Sequence, residues 1–380
     1  MEFIKKIGKS ENGSVTVYVL STLIVVLLVT TTIYIGLRNK TTTQIKQMDK
    51  INKEYSVTDT DMQEAYDKAI MGTLESVKGT ETTNTTVKDN LGNQVVVPAG
   101  FKVINPNDNV TNGIVVEDVT HEATKGSQFV WIPVGDVIKD SAGNKETITL
   151  GRYSFDSSGN ATAYSGLYTE DTASNHDSDY ENTIAKDIED FKNKVNNITH
   201  GYYIGRYEAR DKDATETRTS SSNKTNQLVC TANNYVYNYI TQPKAAELSR
   251  GMYSDSNFES DLMNSYAWDT AVYFLQKFDN RTNKASLKPY SQQNSLNDDL
   301  ASQGTNNLRD ASKQDVICNV YDMASNCEEW TTETCRHYDF PCTIRGGYYN
   351  GGSHFYTSYR ISITTSTSVD DTSFRPLLYM

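Results

Sequence analysis

Five cysteines carry the greatest chemical potential in this chain, and their spacing decides which chemistry is open to them. Cys318, Cys327, Cys335 and Cys342 fall within 25 residues, separated by eight, seven and six residues, with Cys230 far upstream. No Cys-x-x-Cys pair occurs, which speaks against a zinc ribbon, whose ligands come in such close pairs. The histidines, His121, His176, His200, His337 and His354, show no short metal-ligand spacing, and nothing singles out a Ser-His-Asp triad. For a domain outside the cell, one or two disulfides stapling the loops around Trp330 are the expected use of these thiols. Cys335 to Cys342 is the hairpin staple this spacing suggests, and the odd fifth cysteine stays free or pairs between chains.

The elements that must position these residues are short. Val-rich runs around an Asn90-Leu91-Gly92-Asn93 turn read as a hairpin, followed by strand-like runs at 113–119 and 129–135. Ile184, Ile188, Phe191 and Val195 place an apolar stripe on a helix over 184–195. The stretch 200–211 alternates like a strand, and 265–278 offers Ala267, Ala271, Phe274 and Leu275 on one face of a second helix. Beyond residue 315 the chain is rich in Gly, Tyr, Ser and Thr with no long helical period. Few helices, many loops and short strands predict an α+β fold.

The N-terminus carries a different signal. Residues 15–37 run 23 positions without a charge, enough at about 1.5 Å rise per residue to cross roughly 30 Å of hydrocarbon. They predict an uncleaved membrane anchor rather than a secretory signal, whose apolar core is shorter. Lys5, Lys6 and Lys9 precede this span while Arg38, Lys40 and Lys46 follow it, so flanking charge does not settle orientation. The stretch 9–21 also resembles the leader of type IV pilin-like proteins, which implies cleavage after Gly13, although Tyr18 stands where such leaders carry Glu. The expected organisation is a basic leader (1–13), a membrane helix (14–37), a polar, partly helical stalk (38–86), a small β region (87–127) and a main domain (128–380). Net charge is −12 from 36 basic and 48 acidic residues, with no basic stripe, which excludes nucleic acid as a partner.

Taken in order, "FVWIPVG", "GYYIGRYEARD", the Trp268 helix, "NVYDMASNCEEWTTE", "IRGGYYNGG" and "SFRPLLY" resemble the formylglycine-generating enzyme, or sulfatase-modifying factor, family over residues 128–380. The resemblance implies a loop-rich variant of the C-type-lectin fold. Trp330, Arg345, Gly346, Gly347, Phe374 and Arg375 then fall on fold-holding positions: a buried aromatic, a tight backbone passage and a bidentate donor fork. It also implies a calcium site of hard oxygens, with Asn326 and Glu329 on the ligand positions, although the family's first Gly and first Trp are Ser325 and Glu328 here. The family's oxidases hold Cu(I) on two thiolates near a Tyr-Arg pair. Tyr359-Arg360 is present, but Gly351 and Tyr356 stand at the aligned thiolate positions and no cysteine occurs from Arg345 to Met380, so no copper is expected.

What the C-terminal segment offers instead is a binding palette. From Gly346 to Ser373, 20 of 28 residues are Tyr, Ser, Thr, Gly or Asn, the composition of an antibody paratope. The same segment is similar to the exposed face of C-type-lectin-like variable proteins diversified by retroelements. Tyr348, Tyr349, Asn350, Ser353, His354, Phe355, Tyr356, Ser358 and Tyr359 are the expected ligand-binding residues. The combined expectation is a single-pass membrane protein with an extracellular head that binds a protein or glycan without catalysis. The rival expectations are a divergent formylglycine-type oxidase, or another enzyme of that family, and a minor pilin bearing a C-terminal binding head.

Overall fold

The hairpin expected near residue 90 forms from β1 (Thr85–Lys88) and β2 (Gln94–Val97), with Gly92 at φ 98° in the turn. In this computed structural model the described residues are 71–170, 184–214, 220, 227–232, 235–254, 257–282, 285, 287–294, 315–336, 339–349 and 354–380. The chain divides after Met71, and the elements below all belong to the unit Gly72–Met380. The apolar span 15–37 and the leader lie outside the described residues, as do stalk residues 38–70. Among the described residues no helix is long and apolar enough to cross a membrane.

After the hairpin come β3 (Phe101–Val103), β4 (Val115–Asp118), β5 (Gln128–Pro133) and β6 (Tyr168–Thr169). Helix α1 (Ile188–Asn193) begins later than the apolar stripe implies, because Asp187 caps it by accepting from the Asp190 amide. Ile188 and Phe191 face the core, and Val195 joins them from a π-helical turn, Lys194–Thr199, that continues α1. Then follow β7 (Gly201–Gly205), α2 (Gln242–Gly251), β8 (Glu259–Leu262) and α3 (Ser265–Lys277), the last capped by the Asn264 side chain on the Ala267 amide. The chain ends through β9 (Glu328–Cys335), β10 (Cys342–Arg345), β11 (Arg360–Ile363), β12 (Thr372–Phe374) and β13 (Pro376–Tyr379).

Two sheets organise these elements. The larger runs β8-β13-β7-β5-β4-β3, antiparallel throughout. In the second, β9 is central: β10 and then β11 pair antiparallel on one side, while the other edge is shared by β12, parallel, and β6, antiparallel. The result is a mostly-β, loop-rich domain with few helices, compatible with a lectin-like fold.

The larger sheet corrects the expected boundary at residue 128. Val115 pairs with Val130, Phe101 and Val116 are fully buried in the same core as Trp131, and Gly72–Thr73 pairs with β1. Residues 72–127 therefore belong to the same unit as the rest and are not a separate stalk end and β region.

Packing is tight where glycine permits it. The Trp131 indole stacks edge-on to Tyr203 at 5.0 Å and fills the space a side chain at Gly201 would occupy, 2.2 Å from the ring. A second core gathers Trp330, Phe374, Ile344 and Cys342 against Ala245, Ala246 and Tyr237. Trp330 is fully buried and its indole N–H donates to the Ile240 carbonyl at 2.8 Å. Gly201→Ala is expected to cost about 1–3 kcal/mol of stability by displacing Trp131; urea unfolding of the variant checks it, and an unchanged midpoint would contradict the packing described.

Candidate functional site

The segment with the paratope composition is held at both ends by one buried ion cluster. Arg345, last residue of β10, lies directly across the ladder from Arg360, first residue of β11. Two facing guanidinium groups would repel, but Asp269 from α3 and Glu333 from β9 each bridge both of them. Arg152 adds a third cation to Glu333. Burial alone would raise the Glu333 carboxyl, yet the pull of Arg360, Arg345 and Arg152 outweighs it and holds the group well below the usual carboxylate range. Trp268 completes the mount, its ring 5.5 Å from the Arg345 guanidinium and its indole N–H donating to the Thr357 carbonyl at 2.9 Å.

From Arg345 the backbone leaves through Gly346 at φ 88° and Gly347, where a Cβ would stand 2.4 Å from the Ala324 carbonyl oxygen. On the return, Thr357 and Ser358 turn inward: Thr357 donates from backbone and hydroxyl to the Gln293 carbonyl, and Ser358 does the same to Ser291. Ser358 is buried, so this expected ligand-binding residue holds the loop instead. Asn350 and Ser353 lie outside the described residues.

The remaining expected residues meet outside this frame. Tyr349, Tyr348, Phe355, Tyr359 and Tyr356 form a continuous row, with successive ring centroids 6.0, 5.0, 5.2 and 5.4 Å apart, all edge-to-face. Each pair contributes about 0.5–1.5 kcal/mol beyond its burial, so the row is stiff, and all five side chains remain half-exposed. Tyr349 is pinned further, its amide donating to the Asn326 carbonyl and its hydroxyl to Asp370 at 3.3 Å. His354 stands exposed beside the row in sequence.

The first residue of β9 was not singled out by the sequence. Glu328 is 5% exposed, its backbone N–H donates to the Asp371 carbonyl at 2.8 Å, and its carboxylate Oε1 is buried with no hydrogen-bond partner. Burial, with Asp371 alongside, pushes its carboxyl up to about 8. The adjacent Glu329, of the same type, is fully partnered: both its oxygens accept from Arg375, at 2.6 to 3.2 Å. Arg375 also donates to the Gly205 and Tyr321 carbonyls, tying the two sheets together, and Phe374 beside it packs edge-on to Tyr237 at 5.8 Å.

That pairing bears on the expected calcium ligands. Glu329 is neutralised by a guanidinium, and Asn326, at φ 66°, donates its side-chain amide to Glu208 while its Oδ1 has no partner. Among the described residues no three His, Cys, Asp or Glu side chains converge as metal ligands. No bond joins Cys335 to Cys342, the expected staple. Cys342 pairs across the ladder with Thr334, so strand alternation sends Cys335 to the opposite face, and Cys342 is buried against the Trp330 core.

No protein-family model matches the sequence, and no curated protein matches it. Among solved structures, the chain is similar to Treponema denticola variable protein 1, with a TM-score of 0.34 and 11% identity over 66% of this chain and 95% of that one. It is similar to CarF at a TM-score of 0.32 and 12% identity, over 66% of this chain and 98% of that one. PvdO from Pseudomonas aeruginosa gives a TM-score of 0.31 and 12% identity, over 48% and 82%. At TM-scores this low the functional reading rests on the geometry.

The unpaired carboxylate has a measurable consequence. Folding raises the Glu328 pKa above its ordinary value of 4.5, so the folded chain holds this proton more tightly than the unfolded one. The group costs no stability below that value and progressively more as pH rises through about 8. Glu328→Gln is expected to raise the unfolding free energy by about 1–3 kcal/mol at pH 9, with the difference closing by pH 4. Denaturant titrations at both pH values check this, and equal stabilities at pH 9 would mean that the carboxylate has a partner.

Proposed function

We propose that this chain is a membrane-anchored binding protein whose C-terminal head faces outward and presents the row Tyr349-Tyr348-Phe355-Tyr359-Tyr356 to an extracellular protein or glycan ligand, without catalysis. The observation that carries the reading is the row itself: five stiff, half-exposed aromatic rings on a segment clamped at both ends by buried ions. Tyrosine rings give broad amphipathic contact with little rotamer entropy to lose, and a preorganised face avoids the ordering cost of binding. The uncharged span 15–37 supports the anchor. The position of the row within 346–373 supports the further reading of the chain as a variable protein, whose substitutions would be confined to codons of that segment.

Two measurements test the proposal. The full chain in lipid nanodiscs is screened against glycan and cell-surface protein arrays, and Tyr348→Ala and Tyr356→Ala are each expected to weaken the ligands found by about tenfold or more. Undiminished binding in both variants would remove the face from the mechanism, and conversion of a cysteine-containing sulfatase peptide by the copper-loaded protein would replace the binder with an oxidase. In intact cells, the chain is expected to stay in the membrane fraction at alkaline pH, to shed its head to added protease, and to leave the membrane when residues 15–37 are deleted.

A further inference from the structure

A strand at the edge of a sheet presents unpaired backbone groups to any strand that approaches, and proteins commonly blunt such edges with charge or a crossing segment. Both edges of the larger sheet are blunted. On one side β3 carries Lys102, ion-paired to Glu117, and an isolated bridge joins Lys102 to Lys78. On the other, β8 carries Glu259 and Asp261, which hold Lys186 and Arg250. In the second sheet one edge is shared by β12 and β6, but β11 pairs, among the described residues, with β10 alone. Its one charge, Arg360, is turned onto Asp269 and Glu333. From Ile361 to Val369 the chain then reads Ile-Ser-Ile-Thr-Thr-Ser-Thr-Ser-Val, nine residues with no charge, proline or glycine, six of them β-branched. Ile361 and Ile363 pack against the Trp330 core yet remain half-exposed. Strand alternation leaves every second residue of β11 with its N–H and C=O directed away from β10. The Tyr168 hydroxyl reaches the Arg360 carbonyl at 3.4 Å and a turn over Thr364–Thr367 ends the strand, so the open stretch is short and centred on Ser362.

We infer that β11 pairs antiparallel with β11 of a second copy of this chain, across a two-fold axis at Ser362. Ile361-Ser362-Ile363 is palindromic, as a strand that pairs with itself about one residue requires. In that register each Ile361 faces the partner's Ile363, so the two pairs cover apolar surface that each copy leaves half-exposed. Arg360 faces the partner's Thr364, and no like charges meet. The pairing adds roughly four to six backbone hydrogen bonds. A chain of net charge −12 is repelled by its own copy, and among the sheet edges this one opposes approach least. The same symmetry favours a second copy over an unrelated strand, and it closes the assembly at two because each chain offers one such edge. The inference does not rest on what the aromatic row binds, although a dimer carrying two rows gains avidity for a multivalent ligand if they bind.

The test uses the full chain in detergent micelles and in lipid vesicles. Sedimentation velocity in micelles is expected to show a concentration-dependent dimer. Ser362→Lys sets two ammonium groups against each other across the axis and is expected to weaken the dimer by about tenfold or more. Ser141→Lys, on an exposed turn outside both large sheets, is expected to leave it unchanged. In vesicles, Ser362→Cys is expected to form a disulfide-linked dimer on oxidation, because position 362 lies opposite itself within reach of an S–S bond. Ser141→Cys and the parent chain, whose own cysteines are buried or half-buried, are expected not to cross-link. Thermal unfolding of Ser362→Lys beside the parent separates loss of pairing from loss of fold, and Ser362→Cys reads the register without added charge. A chain that stays monomeric at every concentration, a dimer that survives Ser362→Lys, or cross-linking of Ser141→Cys as fast as that of Ser362→Cys would each overturn the inference.

Discussion

The structure depends on two arginines facing each other across a β-ladder, Arg345 buried and Arg360 largely so. Arg345 and Arg360 can coexist there only because Asp269 and Glu333 stand between them, and those carboxylates come from a helix and a neighbouring strand far apart in sequence. The desolvation of such charges is recovered only with near-ideal geometry, so the cluster fixes α3, β9, β10 and β11 relative to one another more strictly than apolar packing would. Removing any one member would leave a buried charge unmatched, at a cost of about 3–5 kcal/mol. The aromatic segment starts at one of these arginines and ends at the other.

Within that segment the division of labour follows side-chain direction. Thr357 and Ser358 turn inward to carbonyl oxygens of Gln293 and Ser291, which allows Phe355, Tyr356 and Tyr359 on either side to turn outward and meet Tyr348. Glu328 stands apart from this order. Its neighbour Glu329 is matched twice over by Arg375, while its own oxygen is unmatched. A core optimised for stability alone would hold a neutral residue there.

How much of this was legible in the sequence varied with the range of the interaction. The helix Ser265–Lys277, the hairpin at Gly92 and the strand Gly201–Gly205 are local, written in apolar period and turn residues, and they form where that period places them. The boundary at residue 128 misled because polar, loop-like composition after β4 hides the pairing of Val115 with Val130, which composition cannot report. The cysteine spacing suggested a staple, but whether two cysteines share a face of a hairpin is set by register, and the shift between Thr331 and Thr334 is invisible in one sequence. The aromatic residues were legible as a group because they fall in one segment rich in Tyr, Ser, Thr and Gly. Ser358 belonged to that composition and not to the surface. Glu328 was hidden beside an identical residue, the two distinguished only by an arginine 46 positions away.

The paired glycines Gly346 and Gly347, pressed against the Met323 and Ala324 carbonyls, have a consequence for how this protein can change over generations. They fix where the backbone emerges, Thr357 and Ser358 fix where it re-enters, and neither anchor involves an aromatic side chain of the row. Substitution at Tyr348, Tyr349, Phe355 or Tyr356 forfeits ring contacts of the row, and at Tyr349 the bond to Asp370, but leaves these anchors in place. Side chains along the row can therefore vary while the arginine cluster keeps every variant on the same scaffold.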